Sequence, residues 1–226
     1  MVTIKLIAFD LDGTLLDSVP DLAVAADQTV QALGFASVAE DQVRDYVGNG
    51  ADLLIGRALS QSMQVSPELS PELLKQARVL FDDNYGKTGH KNSHLYPNVR
   101  DTLHALHQAG YILAVVTNKP SQFVPDILAQ HDIDGFFSEV LGGDAFAEKK
   151  PNPMPLNYLL DKYEVTVEQM LMVGDSKNDI LAAKNAGCAS LGLTYGYNHG
   201  EPIQQSQPTY VADNVSQLCE ILNVGA

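Results

Sequence analysis

Positive charge is scarce in this chain. Its 226 residues carry 14 lysines and arginines against 28 aspartates and glutamates, a formal charge of −14 at pH 7. Proteins that bind nucleic acid or an anionic membrane surface cluster cations to neutralise phosphates. Here only Lys149 and Lys150 stand side by side, so neither partner is expected. The same acidity repels an anionic substrate at long range, and a phosphate site in such a protein needs a cation or local donors. Long hydrophobic runs are missing as well. The apolar runs are strand-sized, the first bracketed by Lys5 and Asp10, which predicts neither a membrane span nor a secretory signal. Cysteine is sparse too. Cys188 and Cys219 show no metal-ligand or redox spacing and are expected as buried free thiols in a reducing compartment, which points to the cytoplasm.

What is present is an ordinary globular composition, 45% apolar and 19% charged, in a chain long enough for a sizeable core. "VTIKLIAFD" reads as a buried strand that ends abruptly in polar residues. From about Val19 to Lys87 the apolar residues recur at helical spacing in "VPDLAVAADQTVQALGF", "AEDQVRDYV", "ADLLIGRALSQSM" and "SPELLKQARVLFDDNY", predicting four helices and no strand between them. From Leu95 onward buried strands alternate with helices: "YILAVV", "FFSEVL", "QMLMV", "CASLGL" and "TYVAD" supply the strands. Pro125 is expected to kink the helix in "PSQFVPDILAQHD", and the tyrosines and phenylalanines read as core residues. The alternation argues for an α/β fold, a Rossmann-like, doubly wound, mainly parallel sheet. The predicted domains are a discontinuous core, 1–16 with 95–226, and a small all-helical domain, 17–94, inserted after the first strand.

Ligands of open parallel sheets collect at the carboxyl ends of the strands, so the residues just beyond each apolar run are the candidates. After the first come Asp10, Asp12, Gly13 and Thr14; after "YILAVV" come Thr117, Asn118 and Lys119. After "FFSEVLGG" come Asp144 and then Lys149, Lys150 and Pro151. After "QMLMV" come Gly174, Asp175, Ser176 and Asp179. Carboxylates, a hydroxyl and a lysine thus converge on one edge. The chemistry that fits is phosphoryl transfer through a covalent aspartyl phosphate. Asp10 is the expected nucleophile, and Asp12 the acid that protonates the leaving alkoxide and later the base that activates water. Carboxylates crowded against a phosphate dianion call for a cation, and Mg²⁺ suits oxygen ligands. Its expected ligands are Asp10, Asp175 and the Asp12 backbone carbonyl, with Asp179 reaching the metal directly or through an intervening group. Lys150 is expected to neutralise charge on phosphate and nucleophile, Thr117 and Asn118 to meet phosphate oxygens, and Gly13 to let backbone amides approach closely. Two of these signals have a blander reading: an Asp-Gly turn after a strand, and a helix cap at Thr117 and Asn118.

"DLDGT", "VVTNK", "KKP" and "GDSKND" resemble the four motifs of the haloacid dehalogenase superfamily, and the resemblance runs through essentially the whole chain. It implies the same roles, Mg²⁺ as cofactor, a Rossmann-like core and a small helical cap that closes over the site and excludes water. Dehalogenases lack a carboxylate at the position of Asp12, so its presence implies a phosphatase or phosphomutase. "YVGNGADLLIGRAL", "LGGDAFAEKKPNPMPL" and "TYGYNHGEPI" are similar to segments of the phosphoglycolate phosphatases, which implies 2-phosphoglycolate as substrate. Other small phosphate esters, a sugar phosphomutase and a non-catalytic binding module are the alternatives. The chain departs from that pattern at Asn98, where glycine is frequent, at Met154, where aspartate is common, and at His199, where an aromatic is usual. In the insertion Gly50 and Arg57 are candidates for substrate contact, Arg57 for a substrate carboxylate. The expected partner is a small phosphorylated metabolite, and the expected assembly a monomer or small homo-oligomer.

Overall fold

The structure, a computed structural model, describes residues 3–224. In chain order its main elements are β1 (Leu6–Phe9), β2 (Leu16–Asp17), α1 (Val19–Ala32), α2 (Glu40–Tyr46), α3 (Ala51–Ser60) and α4 (Pro71–Thr88). They continue as β3 (His94–Leu95), α5 (Val99–Gln108), β4 (Ile112–Val116), α6 (Val124–Gln130), β5 (Glu139–Leu141) and α7 (Met154–Lys162). The chain closes with β6 (Met170–Gly174), α8 (Lys177–Ala186), β7 (Ala189–Leu193), β8 (Tyr210–Ala212) and α9 (Gln217–Ile221). Contacts divide it into two compact units, Met1–Leu16 with Leu95–Ala226, and Asp17–His94.

The first unit is built on a six-stranded sheet in the order β5-β4-β1-β6-β7-β8, every neighbouring pair parallel. The fold is α/β, as the alternation of strands and helices predicts. β1 lies between β4 and β6, and Leu6, Ile7, Ala8 and Phe9 are all fully buried. A strand covered on both faces has no solvent side for polar residues, which is why "LIAF" is apolar throughout. Leu6 and Ala8 join one core with Leu156 and Leu159 of α7 and Ala182 and Ala183 of α8. α5 packs against β4 and presents buried Leu103 and Leu106. Asn98, just ahead of α5, adopts φ +66°, and its Nδ2 donates to Asn214 Oδ1 at 3.2 Å. Left-handed backbone suits glycine and tolerates asparagine, so Asn98 is accommodated at this turn.

The second unit holds four helices, α1 to α4, with α1 packed chiefly on α4. Leu22, Ala26 and Val30 of α1 and Ala77, Phe81 and Tyr85 of α4 are buried at intervals of four residues, one stripe per helix. Ser70 caps α4 by accepting from the Leu73 N–H at 3.1 Å, and Pro71 fills its first turn. Asp21 in α1 is fully buried and ties in the end of the unit. Its Oδ2 accepts from Asn92 N–H, Ser93 N–H and Ser93 Oγ, and its Oδ1 from Asn92 Nδ2, all at 2.7–3.0 Å.

Several expectations are corrected. Pro125 does not kink a helix; it occupies the first turn of α6, where its missing N–H is harmless. The short strands β2 and β3 pair with each other at the points where the chain leaves and re-enters the first unit; two-residue strands carry no periodicity to read. Cys188 and Cys219 are free thiols but only half-buried, and Tyr210, on the edge strand β8, is exposed. Among the described residues no helix is long and apolar enough to cross a membrane.

Replacing Asp21 with Ala strands four backbone and side-chain donors of Asn92 and Ser93 and is expected to destabilise the protein by about 3 kcal/mol. Urea unfolding checks this, and a loss under about 1 kcal/mol would show that water satisfies those donors equally well.

Candidate active site

Parallel pairing sets the site. Asp10 N–H continues the ladder by donating to Val173 O at 2.9 Å, and Thr117 N–H donates to Leu141 O at 3.0 Å. The ends of β1, β4, β5 and β6 therefore stop side by side, and the residues just beyond them meet. Asp10, Asp175 and Asp179, all buried, offer carboxylate oxygens within 4.8 Å of one another. Lys150 lies among them, its Nζ 2.8 Å from Asp10 Oδ1 and 2.6 Å from Asp179 Oδ1.

Each member is held by its local chain. Asp175 Oδ1 accepts from Thr14 Oγ1 at 2.7 Å, and its Oδ2 from Tyr197 N–H at 2.6 Å. Asp179 Oδ2 accepts from Ser176 N–H and Ser176 Oγ at 3.0 and 2.7 Å, at the start of α8. Its other oxygen is thus left for Lys150. Asn118 Nδ2 donates to the Lys150 carbonyl at 3.0 Å and fixes the root of that lysine. Thr117 is buried, and its Oγ1 accepts from Lys119 N–H at 3.2 Å. The turn after Asp12 winds back on itself, Gly13 N–H donating to Leu16 O at 2.8 Å with φ +90° at Gly13. A Cβ there would sit 2.3 Å from Asp175 Oδ2, and one at Gly174 would sit 2.3 Å from Asp179 Oδ2. Only glycine lets the carboxylates come this close.

The electrostatics result from burial and crowding. The Asp10 carboxyl is pushed up to about 6 by desolvation, with Asp179 and Asp12 adding to the shift and Lys150 opposing it. Asp175 is raised well above the usual carboxylate range by burial and by repulsion from Asp179 and Asp10, against the donors Thr14 and Tyr197. Burial lowers the Lys150 ammonium, but Asp10 and Asp179 outweigh it and the net shift is upward. Three clustered carboxylates with one ammonium leave an excess of negative charge and an all-oxygen donor set. That is the chemistry of a hard divalent cation, and these residues fit one.

The sequence pattern gives Lys119 no role of its own, yet it is part of the site. Its Nζ lies 3.0 and 3.2 Å from the two Asp12 oxygens, and its side chain is 2% exposed. The strand-end rule that selects Thr117 and Asn118 covers Lys119 equally. Thr14, which the strand-end rule also covers, holds Asp175 together with the Tyr197 amide; a backbone N–H leaves no side-chain signal to find. In the helical unit, Gly50 precedes α3 with φ +91°. Arg57 Nη1 donates to Tyr46 O at 2.8 Å and Nε to Met63 O at 3.1 Å, so its guanidinium braces backbone within that unit.

An open parallel sheet that gathers buried carboxylates and a lysine beyond the ends of neighbouring strands has the architecture of a ligand site. The family model described as haloacid dehalogenase-like hydrolase matches residues 7–193, and the chain belongs to that family of hydrolases. It is similar to the phosphoglycolate phosphatase of Vibrio cholerae serotype O1, 70% identical over the whole of both chains. Among solved structures it is similar to that of a predicted phosphoglycolate phosphatase from Haemophilus somnus, with a TM-score of 0.91, 46% identity and coverage of 98% of this chain and 99% of that one. It is also similar to CbbY from Rhodobacter sphaeroides in complex with phosphate, with a TM-score of 0.77, 25% identity and coverage of 96% of each chain.

The folded-state pKa of Asp10, about 6, lies above the 3.8 of the unfolded chain. Its ionisation therefore weakens the cation-free fold, with no penalty below pH 4 and the full penalty above pH 6. In EDTA at pH 8, Asp10→Asn is expected to raise the Tm by several degrees, a gain on the order of 2 kcal/mol that fades toward pH 4. A lower Tm at pH 8 would mean that the Lys150 pair outweighs the crowding.

Proposed function

We propose that the protein is a Mg²⁺-dependent phosphomonoesterase of the cytoplasm that hydrolyses 2-phosphoglycolate to glycolate and phosphate through an aspartyl phosphate on Asp10. The observation that carries the reading is the cluster of Asp10, Asp175 and Asp179 around Lys150. The substrate rests on the Vibrio cholerae relative, and the phosphate held by CbbY is consistent with phosphate chemistry on this fold.

Asp10 and Asp175, with the Asp12 carbonyl and Asp179, would hold Mg²⁺. When bound, the ion neutralises charge between the carboxylates and the phosphate dianion. Asp10 attacks phosphorus, its oxygen forming the new P–O bond as the ester P–O bond breaks. Asp12 delivers its proton to the departing glycolate oxygen. A water then attacks the phosphorus of the aspartyl phosphate and gives its proton to Asp12; the bond to Asp10 breaks and phosphate leaves with the carboxylate restored. Lys150 balances charge beside the nucleophile, and Thr117, Asn118 and the Gly13 turn meet phosphate oxygens.

A panel of phosphomonoesters tests this. 2-Phosphoglycolate should give the highest kcat/KM, EDTA should abolish turnover and Mg²⁺ restore it. Asp10→Asn should lose about a thousandfold or more. A variant keeping half its activity would exclude the covalent route, and a higher kcat/KM for a sugar phosphate or nucleotide would reassign the substrate.

A further inference from the structure

We propose that Lys119 is the specificity-determining residue of this site, binding the substrate's carboxylate and so selecting short phosphoesters that carry a carboxylate on the carbon next to the ester oxygen. The assignment rests on the phosphatase function proposed for the site and deepens it.

Among the described residues the buried cations of the first unit are Lys119 and Lys150. Lys150 is committed to Asp10 and Asp179, on the nucleophile's side of the reacting phosphate. Lys119 is committed to Asp12, the proton donor, whose working position is within hydrogen-bond reach of the ester oxygen. In a phosphoester with a carboxylate on the adjacent carbon, the carboxylate oxygens lie only three bonds from that ester oxygen. A cation touching Asp12 is therefore a near neighbour of the carboxylate, on the leaving-group side where substrates differ from one another.

The lysine is also built to share its charge. It spans both Asp12 oxygens, at 3.0 and 3.2 Å, so one can be exchanged for a substrate oxygen while the other is kept. An ammonium presents its donors around a compact point charge, which permits such an exchange without rearrangement. Its backbone is fixed: the N–H donates to Thr117 Oγ1 at 3.2 Å, and the carbonyl accepts from Gly143 N–H at 2.7 Å. Arg57, expected from sequence to meet the carboxylate, directs its guanidinium to the Tyr46 and Met63 carbonyls. A substrate without the carboxylate leaves Lys119 on Asp12 alone and forgoes the charged contact, which is the basis of the discrimination.

The test compares 2-phosphoglycolate with ethyl phosphate, a two-carbon ester without the carboxylate, in the Mg²⁺-loaded enzyme. In Lys119→Met the ratio of their kcat/KM values should fall about 10- to 100-fold, with product inhibition by glycolate weakened and inhibition by inorganic phosphate retained. Lys119→Arg keeps the charge but moves it, and should recover part of the ratio; it serves as the readout should Lys119→Met fail to fold. A ratio within threefold of wild type in both variants, with the two substrates slowed together, would overturn the assignment and leave Lys119 as a support for Asp12. A wild-type enzyme that does not prefer 2-phosphoglycolate to ethyl phosphate would instead sink the substrate reading, and the assignment with it.

Discussion

Repulsion among buried carboxylates is the constraint around which the first unit is organised. Asp10, Asp175 and Asp179 stand closer than their charges favour, and a single ammonium, Lys150, partly offsets the strain. Desolvation and mutual repulsion push Asp10 and Asp175 toward protonation, so the cluster is stable as an ionised set only with more positive charge. The surrounding chain holds it in place. Thr14 and the Tyr197 amide orient Asp175, Ser176 orients Asp179, and Asn118 secures the loop that carries Lys150.

That arrangement depends on strand order. With β1 central and β4 and β6 on either side, three adjacent strands deliver Asp10, Thr117 and Asp175 to one edge, and the loop after β5 brings Lys150 back to them. Glycine is the steric condition. At Gly13 and Gly174 a Cβ would overlap a carboxylate, so the approach of the acids and the loss of side chains there are one feature. A preorganised, water-poor cluster of this kind suits developing charge on a phosphoryl group, because its dipoles need not reorient during reaction.

Much of this was legible along the chain. The apolar runs ending at Phe9, Val116 and Gly174 are strands, because a sheet covered on both faces demands unbroken hydrophobicity. Asp10, Thr117 and Asp175 could be singled out because polar residues directly beyond such runs have one place to go, and Lys150 because it lies in the loop that follows β5. Legibility failed where the signal is short or lacks a side chain. β2 and β3 are too brief for periodicity, the Tyr197 amide that holds Asp175 has no sequence mark, and Pro125 opens a helix that pattern alone extends past it.

Pairings lay beyond the sequence altogether. Lys119 and Asp12 are 107 residues apart, Lys150 and Asp179 are 29 apart, and Thr14 and Asp175 are 161 apart. Residue type announced that each could carry charge or donate a hydrogen bond, but not to whom. Arg57 illustrates the limit: its charge suggested a substrate carboxylate, while its position turns the guanidinium onto two backbone carbonyls. By itself the sequence determined the α/β alternation and the identity of the acids at the strand ends, since hydrophobic period and burial are local properties. Only the tertiary structure decided which cation faces which acid, because that depends on strand order and on the room glycine leaves between neighbours.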